Sequence, residues 1–170
     1  GIEDLRVGAL ATPKPQVLVA GNTNRSFYAE GWSPDGKSIA ASVGEDGREQ
    51  TARIALVAAT DGTQRTVASL GDRFARTIRF SPDGRFLAYN LGWVPLAPTP
   101  RKNQIVLLDL QTGAQKVLVE TIANEWFVGW APGGGEIVFT SERRGTPDTS
   151  SAPETVSSRR QARRRVAFLA

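Results

Sequence analysis

Histidine, cysteine and methionine do not occur among the 170 residues. Without the first two, the chain by itself cannot assemble Ser-His-Asp or Cys-His nucleophile arrangements, the usual imidazole and thiolate sites for zinc and iron, or the commonest general base. Disulfides are excluded as well, so redox chemistry says nothing about compartment. No run approaches 18 apolar residues, and no charged-then-apolar leader opens the chain. Phosphate loops of the Gly-x-Gly-x-x-Gly or Walker type are missing, and Gly133–Gly135 reads as a turn. The run Gly31-Trp32-Ser33-Pro34-Asp35 starts like a nucleophile elbow but fails at its fifth place, and no imidazole exists to deprotonate Ser33. Glu30 and Glu125 are available for a paired-carboxylate arrangement, yet no spacing singles them out, and turn and surface roles account for such residues. No catalytic, metal or cofactor site is expected.

What the chain does contain is a threefold repeat. GWSPDGKSIAAS (31–42) returns as RFSPDGRFLAYN (79–90) and as GWAPGGGEIVFT (129–140), with starts 48 and then 50 residues apart (31 to 79, 79 to 129). Such periods belong to propellers, solenoids and arrays. Trp32, Phe80 and Trp130 share one column, Pro34, Pro82 and Pro132 the next marked one, and Gly36, Gly84 and Gly134 close the turn. Each copy reads as a β-hairpin. Proline presets φ, the aspartates Asp35 and Asp83 bond their own downstream backbone, and glycine takes the left-handed conformation. These residues are therefore assigned to turn-making rather than to metal binding or acid catalysis. The third copy, with Ala131, Gly133 and Gly135 in place of serine, aspartate and a basic residue, is expected to have a looser turn.

After each hairpin, alternate apolar residues such as Ile39 and Ala41, Leu87 and Tyr89, or Ile137 and Phe139 fall on one strand face. Two further strand candidates follow, 53–59 and 65–70 in the first unit and 104–110 and 115–120 in the second, with turns at Asp61-Gly62 and Thr112-Gly113. A unit is thus four short antiparallel strands in about 50 residues, the make-up of a propeller blade. The expected fold is all-β: an incomplete β-propeller of about three blade equivalents. The boundaries are a half blade at 1–21, blades at 30–70 and 77–120, and an incomplete blade at 124–148. The segment 22–29 is a polar connection, and 149–170 is a disordered basic tail.

The pattern aromatic-Ser-Pro-Asp-Gly-Lys/Arg-x-hydrophobic-Ala-aromatic resembles the WD40-like repeat of TolB-type β-propellers, found also in prolyl-oligopeptidase-like peptidases and in bacterial periplasmic or regulatory proteins. It covers roughly residues 2–148. The resemblance implies a propeller and, with less specificity, a protein-binding role. It is also the sole ground for favouring a periplasmic or extracytoplasmic location.

Charge is unevenly placed. There are 21 Lys and Arg against 17 Asp and Glu, a formal +4. Residues 149–170 hold five arginines and one glutamate, the same +4, so the body sums to zero and offers no electrostatic case for nucleic acid. The tail has three readings: a basic contact segment, an ordinary disordered terminus, and the preferred one, an out-of-frame product, because Ser/Arg/Ala-rich sequence interrupts the repeat in mid-blade. The first strands of the opening blade are missing as well, which suggests a piece of a longer propeller. Alone it is expected to be marginally stable, oligomeric or aggregation-prone.

Gly44–Gln50 resembles a calcium loop only in its acidity; it lacks regular oxygen-ligand spacing and is read as a solvated hairpin loop. More individual is 91–102, LGWVPLAPTPRK, whose three prolines forbid a central strand. Trp93, Val94 and Leu96 there form the candidate partner contact, against the alternative that Trp93 folds back over a neighbouring blade. The functional expectation is a non-catalytic scaffold with a protein or peptide partner, oligomeric or completed by further blades. The alternatives are a substrate-gating propeller of a prolyl-oligopeptidase-like hydrolase, whose catalytic domain lies outside the chain, and the sensor propeller of a regulatory protein.

Overall fold

The computed structural model describes residues 4–11, 14–45, 51–93, 103–119, 124–142 and 166–167, and every regular element among them is a β-strand. Strands β1 (Leu5–Val7) and β2 (Gln16–Val19) form a two-stranded antiparallel sheet. Strands β3 (Arg25–Trp32), β4 (Ser38–Glu45), β5 (Thr51–Ala58) and β6 (Gln64–Gly71) form a four-stranded sheet in chain order. A second such sheet comprises β7 (Arg73–Phe80), β8 (Phe86–Trp93), β9 (Gln104–Asp109) and β10 (Gln115–Val119). The third holds β11 (Asn124–Trp130) and β12 (Glu136–Glu142), with the two-residue β13 (Val166–Ala167) beside β12. This is an incomplete β-propeller of antiparallel four-stranded blades.

Period-two alternation sends side chains to both faces of each blade, so the cores lie between successive sheets. Leu5 of β1 packs on Phe27, Ile39, Ala41 and Val57. The opposite face of that blade, with Ala40, Ile54 and Leu56, meets Ile78, Leu87, Tyr89 and Leu108 of the next. Ala88, Ile105 and Val119 then meet Phe127, Ile137 and Phe139. Removing a buried Leu or Ile from such an interior costs about 2–5 kcal/mol.

The hairpin turns form by the expected chemistry. In the first, the Ser33 hydroxyl donates to Asp35 Oδ1 at 2.6 Å, which also accepts from Lys37 N at 3.0 Å. In the second, Ser81 Oγ donates to Asp83 Oδ1 at 2.5 Å and accepts from Phe86 N at 2.9 Å. These bonds, the hydroxyl first and the N–H second, hold both carboxyls below the usual aspartate range. Gly36, Gly84 and Gly134 have φ of 70°, 75° and 74°. In the third turn Gly134 N donates to Ala131 O and Ala131 N to Glu136 O, both at 2.9 Å, so its backbone closes like the others. What distinguishes it is the missing Ser/Asp side-chain network, because Ala131 and Gly133 cannot supply it.

Successive turns also touch. A Cβ placed on Gly84 would lie 3.6 Å from Pro34 Cδ, and one on Gly134 would lie 3.3 Å from Pro82 Cδ. The proline of each blade therefore seats the turn glycine of the next. A Cβ on Gly36, the first of the series, would meet nothing within 4 Å.

The first strands begin upstream of the boundaries read from the motif. Arg25–Ala29 is strand rather than polar connection, since Arg25 through Ala29 pair residue for residue with Glu45 back to Ala41, and Phe27 is buried between exposed or half-exposed neighbours. β7 likewise starts at Arg73, paired with Trp93. The hydrophobic alternation there was masked by the arginines and small residues that accompany it.

A row of exposed side chains on the first strands

The first strands β3, β7 and β11 stand next to one another, each packed against the preceding blade. Three large side chains occupy one register position on them. Tyr28 pairs with Ser42, Arg76 with Asn90 and Trp126 with Thr140, the same column of the repeat in every blade. Tyr28 is 56% and Trp126 40% exposed, and Arg76 is exposed too. Arg76 remains so although its strand lies between the β3–β6 blade and the β11–β12 sheet. The Arg76 guanidinium lies 5.2 Å from the centroid of the Phe74 ring, a cation–π contact that holds it on the surface.

Beside this row each first strand bulges, and in β7 and β11 the preceding blade captures the bulge. Glu30 Oε2 accepts from Thr77 N at 3.1 Å, and Arg79 Nη1 lies 3.8 Å from the same oxygen while donating to the Glu30 carbonyl. Thr77 sits at φ 53°, which a β-branched residue adopts only when its surroundings impose it. Burial raises the Glu30 carboxyl above its usual value, partly opposed by Arg79 and by the Thr77 and Ile78 N–H groups. The equivalent amide of the next blade, Phe127 N, donates to buried Asn90 Oδ1 at 2.8 Å. These clamps fix the spacing of the first strands, and so of the exposed row.

The positions singled out from the sequence separate into three groups. Pro34, Asp35, Gly36, Pro82, Asp83, Gly84, Pro132 and Gly134 stand at hairpin turns. Trp93 ends β8, its backbone paired with Arg73, whereas Val94 and Leu96 lie outside the described residues. Glu30 and Glu125 sit on first strands two blades apart, with the whole β7–β10 sheet between them, and do not converge. Tyr28, Arg76 and Trp126 were not singled out. Their signal was available as the place three residues before each repeat start, but tyrosine, arginine and tryptophan share no residue class. Among the described residues no three acidic, His or Cys side chains gather as a metal site, and no helix is long and apolar enough to cross a membrane.

No protein-family model matches the sequence, and no curated protein matches it. Solved structures do. The chain is similar to TolB from Acinetobacter baumannii at 22% identity and TM-score 0.63, covering 85% of this chain and 33% of that one. It is similar to a putative TolB from Agrobacterium tumefaciens at 24% identity and TM-score 0.57, over 79% of this chain and 44% of that one. A structure from a study of two prolyl endopeptidases matches at 17% identity and TM-score 0.55, over 77% of this chain and 21% of that one. The chain thus spans about a third to under half the length of the TolB structures it matches, and the likeness is one of fold.

Proposed function

We propose that this chain is a non-catalytic, TolB-like propeller segment built from WD40-like repeats, which binds a protein or peptide partner across Tyr28, Arg76 and Trp126. The observation that carries this reading is that Arg76 stays exposed between the β3–β6 blade and the β11–β12 sheet, at the register position where Tyr28 and Trp126 are exposed too. Tyrosine, tryptophan and arginine are the residues most enriched in binding hot spots, because they bring large rigid area or a forked donor at modest entropic cost. An arginine between two aromatics suits a peptide that presents a carboxylate flanked by apolar side chains. The loop with Trp93, Val94 and Leu96 is a second contact in this reading.

The test is to pan a random peptide library on the immobilised chain, then measure the enriched peptides against Tyr28→Ala, Arg76→Ala and Trp126→Ala. Loss of binding of about tenfold or more in these variants, with unchanged β-type circular dichroism, supports the site. Binding that survives all three, and disappears in Trp93→Ala, moves the site to the loop.

The likeness in fold to a prolyl endopeptidase structure favours a second reading, a propeller that gates substrate for a hydrolase. Sequencing the gene on both sides separates the two: an α/β domain with a G-x-S-x-G elbow and a histidine supports the hydrolase.

A further inference from the structure

We propose, on the reading of the exposed row as a peptide site, that Glu30 makes binding there proton-linked: an acidic peptide lying across Tyr28, Arg76 and Trp126 binds more tightly once Glu30 has taken up a proton. The residue before each repeat start is Glu30, Ile78 or Val128, so a carboxyl at this place is particular to β3. Glu30 stands two residues beyond Tyr28 and crosses to β7, where its Oε2 accepts from Thr77 N at 3.1 Å. Thr77 is the residue after Arg76. A fixed carboxylate therefore lies beside the arginine that would receive the ligand's own carboxylate.

The charges around Glu30 come from two neighbouring strands. From β7, Arg79 Nη1 lies 3.8 Å from Oε2, and Arg76 acts on the same carboxylate through space. From β1, Arg6 lines the cleft that Glu30 also lines, its guanidinium 2.7 Å from Asp4. β4 brings no charge to this place, since Ala40 and Ala41 lie opposite the bulge. Burial pushes the Glu30 carboxyl above its usual value, against Arg79, the Thr77 and Ile78 N–H groups and Arg76. The turn aspartates Asp35 and Asp83 are displaced the other way, and the chain has no histidine. Mild acid thus reaches Glu30 ahead of those aspartates, and no imidazole titrates alongside it.

A bound ligand carboxylate acts on Glu30 in two ways of the same sign. It adds a like charge nearby, and it draws off part of the Arg76 field that favours the ionised form. Both make Glu30 hold its proton more firmly in the complex than in the free chain. Reciprocity then requires that the proton favour the ligand, so affinity rises as pH falls through the Glu30 titration. Two like charges on either side of one surface guanidinium are worth about two- to fivefold in affinity. The ligand's carboxyl, paired with an arginine, protonates below its ordinary value of about 4, and there affinity falls again. Binding is therefore tightest in mild acid.

The probe is a peptide enriched by panning on the immobilised chain, its ends blocked and carrying a single aspartate, with the asparagine counterpart as control. Between about pH 7.5 and about pH 5 its dissociation constant on the full chain should fall about two- to fivefold. Calorimetry in buffers of different ionisation enthalpy should show net proton uptake on binding across the same range. In Glu30→Gln, which keeps an acceptor for Thr77 N, binding at neutral pH should tighten by the same factor, and both the gain in acid and the proton uptake should vanish. An affinity that is flat or weaker in mild acid, a gain that the asparagine peptide shares, or a gain and uptake that persist in Glu30→Gln each overturn the proposal while leaving the row as the binding site. Where Glu30→Gln alters the circular dichroism, lack of proton uptake by the parent chain overturns it alone. If no acidic peptide binds in a way that depends on Tyr28, Arg76 and Trp126, the reading of the row fails and the proton linkage with it.

Discussion

Writing the missing side-chain network into the third turn, by the double substitution Ala131→Ser and Gly133→Asp, should stabilise the chain. The backbone there is ready: Ala131 and Gly134 already make the turn bonds at 2.9 Å, a Cβ on Gly133 meets nothing within 4 Å, and Gly133 is not among the glycines at positive φ. By comparison with Ser81 and Asp83, the new groups add a hydroxyl-to-carboxylate bond and acceptors for the N–H groups of Gly135 and Glu136. Each net bond is worth about 0.5–1.5 kcal/mol, and the low end applies at a solvated turn. Replacing a glycine adds about 0.4–1 kcal/mol through the unfolded chain. With the entropy of holding two side chains set against these, the gain is about 1–2 kcal/mol, or about 2–8 °C in melting temperature for a chain this size. Either substitution alone should give less than half, because the hydroxyl and carboxylate act together. The carboxyl pKa in such a turn is depressed on folding, so the carboxylate's share is present above its unfolded value and fades as pH falls through the acid range. Thermal melts of the parent, both single variants and the double variant at neutral and strongly acidic pH would check this. A double variant no more stable than the parent, or a gain independent of pH, would refute the reasoning.

Two further outcomes follow from buried polar groups. Asn90→Ala strands the Phe127 N–H, which should cost about 1–3 kcal/mol and lower the urea midpoint; a loss under about 0.5 kcal/mol would mean that the clamp contributes little. The Tyr89 hydroxyl donates to Gln115 Oε1 at 2.7 Å, and burial, slightly opposed by Arg73, pushes its pKa up to about 12. Its folded pKa lies above the unfolded value near 10, so its contribution is intact below that pH and is lost as pH rises toward 12. Tyrosinate absorbance should therefore show one of the two tyrosines titrating late and together with alkaline unfolding, a coupling that Tyr89→Phe removes.

Much of the architecture was legible because the repeat writes the same local rule three times. Proline, aspartate and glycine at Pro34-Asp35-Gly36 and Pro82-Asp83-Gly84 set φ and capture N–H groups within a few residues, so local chemistry alone specifies those turns. Pairs two apart, such as Leu87 and Tyr89, fixed strand faces for the same reason, and with them the all-β class. Strand starts were harder: Arg25 and Arg73 begin strands through their pairing with Glu45 and Trp93, partners at the far ends of neighbouring strands.

The candidate site shows where local rules end. The sequence by itself determined the hairpins, the blade as the unit and the absence of imidazole and thiol chemistry, since each depends on residue identity or on neighbours close in the chain. Only the tertiary structure decided that Tyr28, Arg76 and Trp126 share one exposed position, that Glu30 reaches across to strained Thr77, and that Pro34 and Pro82 seat the next blade's glycine. Those relations join residues nearly 50 positions apart, and their energies arise from how whole sheets stack, a distance over which the pattern along the chain carries no direct physical force.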